Sequence, residues 1–185
     1  MTALELAANA LATLSIVLAA RNHRATWPVG IAGCALFGLL FFQVKLYADV
    51  VLQVFFITTS AVGWWGWQGP GAAAAEMPIR RTSRRAIAAL LLVGLLAGAG
   101  YGGLLMQFTD AAAPVADSLV LSLSVIAQLL LMRRRIETWP FWLAVNLIAV
   151  PLYASRGLTL TAALYAFYAV NAVWAWRHWQ RLSRR

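Results

Sequence analysis

Apolar residues fall in seven runs, at about 3–20, 27–44, 47–67, 86–107, 115–132, 138–155 and 158–178, each bounded by charge or by glycine and proline. Each is long enough to cross a hydrocarbon core as a helix, the form that satisfies its own backbone groups in lipid. The pattern predicts an all-α polytopic membrane protein with seven transmembrane helices. Residues 3–20 read as a retained first span, although Leu18-Ala19-Ala20 loosely resembles a signal-peptidase site; no basic region precedes it. The one linker is 68–85, with Gly69-Pro70-Gly71, an alanine run and the basic cluster Arg80, Arg81, Arg84 and Arg85. The fourth run carries Gly94, Gly98, Gly102 and Gly103, residues suited to close helix packing in lipid, and is expected to connect or pack rather than to form a site.

Composition agrees with that architecture. Of 185 residues, 62% are apolar and 11% charged, and the mean hydropathy is +0.74. A soluble domain carries about a quarter charged residues, so a water-soluble globule is excluded and no length remains for a second soluble domain. The net charge of +9 follows from topology rather than from nucleic-acid binding. One side of the predicted membrane holds Lys45 and Arg156, and the other holds the remaining thirteen basic residues. By the positive-inside rule the amino terminus lies outside and the carboxyl terminus in the cytoplasm, across the cell's inner (plasma) membrane. The single cysteine, Cys34, sits within an apolar run, which leaves no intramolecular disulfide and no multi-cysteine metal site.

An internal repeat organises the chain. At an offset of 112, residues 21–68 align without a gap on 133–180, with about a quarter of the positions identical. Thr26-Trp27-Pro28 falls on Thr138-Trp139-Pro140, and Trp64, Trp67 and Gln68 fall on Trp176, Trp179 and Gln180. Each copy holds three spans, an odd number, so direct fusion would invert the second copy; the span at 86–107 restores its direction. The expected organisation is a first three-helix bundle at 1–67, a basic linker and connecting helix at 68–107, and a second three-helix bundle with a basic cytoplasmic tail at 108–185. Parallel halves of this kind occur in transporters, with the substrate between them near mid-membrane.

Little supports catalysis. His23 and His178 lie in or beside loops, and no zinc-protease, nucleophile-elbow or phosphate-loop motif is present. The only lysine, Lys45, is in a loop, which excludes a retinal Schiff base in the last span. The carboxylates Glu5, Asp49, Glu76, Asp110, Asp117 and Glu137 all stand near span ends or in loops. An ion-coupled carrier often holds one at mid-depth, so facilitated diffusion is favoured over pumping. What remains at depth is neutral: Gln53, Thr58 and Thr59 in the third span, Gln128 in the fifth, Asn146 in the sixth, and Tyr165, Tyr168 and Asn171 in the seventh. The last three recur every third residue and cover an arc of about 120°. Such groups also join helices, at ~0.6 kcal/mol per hydrogen bond; as a set, amides and phenols suit a polar molecule that is uncharged or a singly cationic aromatic. Trp27, Trp64, Trp65, Trp67, Trp139, Trp142, Trp176 and Trp179 read as an interfacial aromatic belt. Trp174, a turn deeper, is the better candidate for a substrate wall. Pro151 is expected to kink the sixth span, which is tolerated where helices line a cavity.

The stretch Lys45-Leu46-Tyr47-Ala48-Asp49, continuing through Leu52-Gln53-Val54-Phe55-Phe56 to Gly63-Trp64-Trp65-Gly66-Trp67, resembles the signature of the PnuC-type vitamin transporters. The second half agrees, with Trp139-Pro140, Asn146, Pro151-Leu152-Tyr153, Leu164-Tyr165, Tyr168, Asn171-Ala172 and Trp176. The resemblance implies a 3+1+3 fold similar to the sugar-transporting SWEETs and a homotrimer in the lipid bilayer. It further implies facilitated uptake of nicotinamide riboside, trapped by cytosolic phosphorylation in pyridine nucleotide salvage, with no cofactor. The matching site positions are Gln53, Asn146, Tyr165, Tyr168 and Asn171; Gln128 and Trp174 are added on depth alone. Relatives with closely related motifs carry thiamine, riboflavin or nucleosides, and a non-transporting seven-helix receptor is the alternative of another class.

Overall fold

The computed structural model describes residues 3–43, 47–68, 78–108, 113–155, 157 and 159–184. Lys45, Gly69-Pro70-Gly71, Glu76, Asp110 and Arg156 lie outside the described residues, as do the side chains of Tyr47 and Asp49. Seven helices follow in order: α1 (Ala3–Ala20), α2 (Thr26–Gln43), α3 (Tyr47–Gly66), α4 (Arg84–Phe108), α5 (Pro114–Met132), α6 (Thr138–Ser155) and α7 (Thr159–Leu182). They coincide with the seven apolar runs to within four residues at each end. Four of them, α1, α2, α4 and α5, are apolar enough throughout to cross a membrane by composition alone. The other three contain Gln53, Asn146, Asn171, most of the tyrosines and most of the tryptophans, which lower their hydropathy without shortening them. Large apolar side chains such as Leu39, Phe42, Leu92, Leu96 and Phe108 are exposed on helix faces, a surface suited to lipid.

Two compact units divide the chain, residues 1–78 and 79–185. In the first, α1 and α2 are joined by a tight turn in which Asn22 adopts φ 55°. Its N–H donates to Ala19 O at 2.9 Å and the His23 N–H to Leu18 O at 2.9 Å, a left-handed helix cap that satisfies carbonyls at the end of α1. The Thr26 hydroxyl then donates to Ser15 O, and the Ser15 hydroxyl to Thr26 O, each at 2.8 Å. Close approach of the two helices is set by Gly30 and Gly33, where an added Cβ would lie 2.9 Å from Ser15 Oγ and 3.3 Å from Ala12 N.

The second unit repeats this joint between α5 and α6. Arg134 adopts φ 49°, its N–H donates to Leu131 O at 2.9 Å, and the Arg135 N–H donates to Leu130 O at 3.0 Å. The Thr138 hydroxyl donates to Ala127 O at 2.8 Å. Residues 22, 26 and 15 correspond at the 112-residue offset to 134, 138 and 127, so the same backbone device occurs at both places. Ahead of α5, helix α4 packs through one face: a Cβ at Gly94 would lie 2.7 Å from Ile126 Cδ1, and one at Gly98 3.0 Å from Leu119 Cδ2. Gly102 meets Pro114 and Ser118, whereas Gly103 faces open space. Leu123, Ile126, Ala127 and Leu130 of α5 form the core with Phe141 and Val145 of α6.

Four tryptophans are not where an interfacial belt would hold them. Trp27, Trp67, Trp139 and Trp179 are buried, none more than 2% exposed. Trp27 and Trp67 meet edge to face, with ring centroids 5.1 Å apart at 89°. Trp139 and Trp179 do the same at 5.4 Å and 84°. Such pairs contribute about 0.5–1.5 kcal/mol beyond their buried area, which outweighs an interfacial position for these four rings. Trp65, 82% exposed, fits the belt.

Gly63 of α3 lies flat against the Trp27 ring, and a Cβ there would sit 2.6–2.8 Å from three ring carbons. A rigid indole held edge-on by Trp67 cannot yield as a flexible side chain would. Gly63→Ala should therefore destabilise the protein by about 1–3 kcal/mol. Gly66→Ala, where nothing lies within 4 Å, should be neutral or slightly stabilising. Thermal unfolding of the two variants in detergent checks this; equal midpoints would contradict it.

Candidate functional site

The tryptophan pairs fix the register of each helical hairpin, and in the second unit that register sets the depth of the polar residues. Tyr153 lies 14 residues after Trp139 on α6, and Tyr165 lies 14 residues before Trp179 on α7. Two antiparallel helices anchored at the tryptophans must bring these tyrosines level, about 21 Å along the axis. Their rings do meet, with centroids 5.0 Å apart. Tyr168 continues the row at 5.7 Å from Tyr165. Tyr165 and Tyr168 are thus brought together as expected, and Tyr153 joins them.

The same register puts Asn146, 7 residues from Trp139, and Asn171, 8 residues from Trp179, at similar depth on α6 and α7, some 10–12 Å from the tryptophan anchors. Asn146 is 4% exposed, Asn171 9%, and Gln128 on α5 6%. Three buried amides therefore come from three successive helices of one unit. Amides at depth need partners. The Asn171 Nδ2 is buried and has no hydrogen-bond partner among the described residues, so it is a donor that a ligand acceptor could satisfy.

Gln53 stands apart on α3 in the first unit, half-buried, with its Cβ 3.7 Å from where a Cβ on Gly38 would lie. Thr58 and Thr59 turn their hydroxyls onto their own helix, donating to Val54 O at 2.8 Å and Phe55 O at 2.9 Å. Trp174 is 48% exposed and stacks on His178 one turn later, with centroids 5.0 Å apart at 6°. The open grooves along α1 and between α4 and α5 contain none of these candidates. Among the described residues no three His, Cys, Asp or Glu side chains are grouped so as to hold a metal ion.

The residue missed from sequence was Tyr153. Its signal was the offset itself, because Tyr153 corresponds to Phe41, an aromatic at the same level of the first unit, where Phe37 and Phe41 stack at 5.8 Å. The comparison also exposes an asymmetry. Phe41, Phe56, Thr59 and Cys34 in the first unit correspond to Tyr153, Tyr168, Asn171 and Asn146 in the second. Hydrogen-bonding capacity is thereby concentrated in α5–α7. Chemically, the second unit offers phenol faces for an aromatic or cationic ring, and amides for hydroxyl groups.

A family profile described as nicotinamide mononucleotide transporter matches residues 2–181. The nicotinamide riboside transporter PnuC of Escherichia coli (strain K12) is 27% identical over 191 residues, covering 88% of this chain and 80% of that protein. The riboflavin/roseoflavin transporter RibM of Streptomyces davaonensis is 28% identical over 191 residues, covering 98% of this chain and 86% of its own length. A crystal structure of the vitamin B3 transporter PnuC superposes with a TM-score of 0.78 at 21% identity, covering 98% of this chain and 82% of that one. The likeness to that structure carries the fold alone.

If the Asn171 amide serves a ligand rather than the fold, removing it should not weaken the ligand-free protein. An unpartnered buried polar group costs about 1–3 kcal/mol, so Asn171→Leu should leave the thermal midpoint unchanged or raise it. A clear drop in midpoint would instead mark the amide as structural.

Proposed function

Because the chain belongs to the nicotinamide mononucleotide transporter family and is a multi-pass membrane transporter, we propose that its cargo is the uncharged-sugar form, nicotinamide riboside. The observation that carries this reading is the neutral lining: Gln128, Asn146, Tyr165, Tyr168 and Asn171, with Tyr153 added. A mononucleotide brings a phosphate, which needs arginine or lysine partners when taken out of water, and none of these residues is cationic. The riboside brings a singly charged pyridinium ring and hydroxyl groups. Tyrosine faces attract such a ring, and amides donate to and accept from the ribose hydroxyls.

On this reading the cargo lies in a central site between two three-helix bundles, with Gln53 reaching it from the first and Asn146, Tyr165, Tyr168 and Asn171 from the second. Trp174 forms its wall towards the tryptophan anchors. The architecture is 3+1+3 with parallel halves, as in the SWEETs, and three chains associate in the membrane. Support comes from the shared joints at Asn22 and Arg134 and the two tryptophan pairs, which give both halves one construction. The protein lies in the inner membrane with its amino terminus outside and its carboxyl terminus in the cytoplasm, a reading supported by the bias of basic residues to one side. Transport is facilitated diffusion. The described carboxylate side chains, Glu5, Asp117 and Glu137, stand at helix starts rather than at depth. Net uptake comes from a cytosolic kinase, whose phosphorylated product the neutral site rejects.

The second reading is a riboflavin carrier, favoured by the Streptomyces relative and by a tyrosine row equally able to stack on a larger ring. Binding by the purified protein separates the two. The riboside should bind at least tenfold more tightly than riboflavin, thiamine or the mononucleotide; preference for the mononucleotide would overturn the neutral-site argument. Proteoliposomes should take up the riboside with no proton or sodium gradient, and binding without flux would point to a receptor. Gln53→Ala and Asn171→Ala should each weaken binding by about 1 kcal/mol, roughly fivefold. Unchanged affinity in both would remove the site from this position.

A further inference from the structure

The linker ahead of α4 is pinned to the α5–α6 turn by backbone hydrogen bonds. The Arg80 N–H donates to Arg134 O at 3.0 Å, and the Ile136 N–H donates to Arg80 O at 3.1 Å. These form an isolated parallel bridge between Arg80 and Arg135. Two further bonds extend it: Arg135 Nη1 donates to Arg81 O at 2.8 Å, and the Thr82 N–H donates to Glu137 Oε2 at 2.9 Å. Ile79, just before the clip, is buried, and Ser83 caps α4 by accepting from the Ala86 N–H at 3.2 Å.

Two basic segments far apart in sequence are thereby held side by side. Arg80, Arg81, Arg84 and Arg85 come from the linker and the first turn of α4, and all four are exposed. Arg133 and Arg135 come from the turn beside them. Arg134, at the left-handed position, is buried, which lowers its guanidinium pKa to about 10 and leaves it charged at neutral pH. Glu137 is the single carboxylate within these two segments, and it already accepts the Thr82 N–H. No acidic residue stands in the first turn of α4, although arginines there oppose the positive end of the helix dipole. The platform is thus a rigid surface of one sign at the ends of three helices, α4, α5 and α6. Loose tail charges also satisfy the positive-inside rule; a clipped backbone additionally fixes their spacing, which is what specific recognition requires.

We propose that this arginine platform binds the phosphate headgroup of an anionic phospholipid. Guanidinium groups match phosphate oxygens in geometry as well as charge, and clusters of arginine beside a membrane span attract anionic lipid. The lipid would tie the linker, the α4 start and the α5–α6 turn together at the bilayer surface. The site is independent of cargo identity.

The test uses the full-length protein in detergent, titrated with phosphatidylglycerol or phosphatidylcholine, with thermal unfolding and native mass spectrometry as readouts. Phosphatidylglycerol should bind and raise the midpoint, and phosphatidylcholine should not. R80Q/R81Q/R84Q/R85Q should weaken phosphatidylglycerol binding at least tenfold, whereas R177Q/R181Q/R184Q, at the end of α7 and just beyond it, should leave it unchanged. Glu137→Gln keeps an acceptor for the Thr82 N–H while removing the one carboxylate among the described residues of the platform, so binding should tighten severalfold. The proposal is overturned if the linker variant binds as well as the parent, if the α7 variant loses as much, or if Glu137→Gln does not tighten binding. An equal stabilisation by inorganic phosphate would also overturn it, making the occupant a soluble anion.

Discussion

Everything in either unit that bears on function depends on a tryptophan pair that closes a helical hairpin at one end. Trp27 with Trp67, and Trp139 with Trp179, join the start of one helix to the end of the next. The pair is apolar, bulky and directional, so it resists both separation and slip. A register shift of a single residue would rotate each helix by about 100° and carry Asn146 and Asn171 out of the protein interior. The contact between Tyr153 and Tyr165, 14 residues from either anchor, is the visible result of a register kept to the far end of the hairpin.

Anchoring matters because the second unit carries an energetic burden. Amides are buried on α5, α6 and α7, and the Asn171 nitrogen, which has no partner among the described residues, costs about 1–3 kcal/mol. These helices also need side-chain order where a simple apolar span would not. The first unit has the same joints but phenylalanine, threonine and cysteine at the corresponding depths, and Thr59 satisfies its own hydroxyl within α3. At these corresponding positions the second unit thus carries most of the hydrogen-bonding side chains.

The seven helices were legible because apolar runs bounded by charge are a coarse signal, and the structure differs from them only at the ends. The candidate polar residues were legible for the same reason, being exceptions within those runs. Trp27, Trp67, Trp139 and Trp179 were misread because their position near span ends is shared by belt residues and by hairpin anchors. Direction around the helix decides between the two, and tryptophans crowd that end of the chain too densely to show one face. Their recurrence at the 112-residue offset was the better guide, since a belt does not demand equal spacing. The linker clip had no sequence signature at all. Its first two bonds run backbone to backbone, between segments about 55 residues apart, and any side chains could accompany them. The left-handed turn was hidden for a related reason: asparagine at residue 22 is a familiar choice for positive φ, but arginine at 134 is not.

The neutral lining has a consequence for direction. A carrier without a coupling ion cannot move its cargo past electrochemical equilibrium, so under the proposed mechanism continued uptake of the riboside requires that it be consumed inside. Retention under the proposed mechanism then rests on a difference between cargo and product. That difference is the phosphate. A site of amides and phenols offers no counter-charge, so the dianion must enter it either unpaired or with its hydration, and both are costly in a low-dielectric channel. Adding one arginine at the depth of Asn146 or Asn171 would reduce that penalty and let the product leave. Under the proposed mechanism the absence of charge among these residues is what makes retention possible, and the described arginines stand at helix ends or in turns, where they can serve the membrane surface without opening that leak.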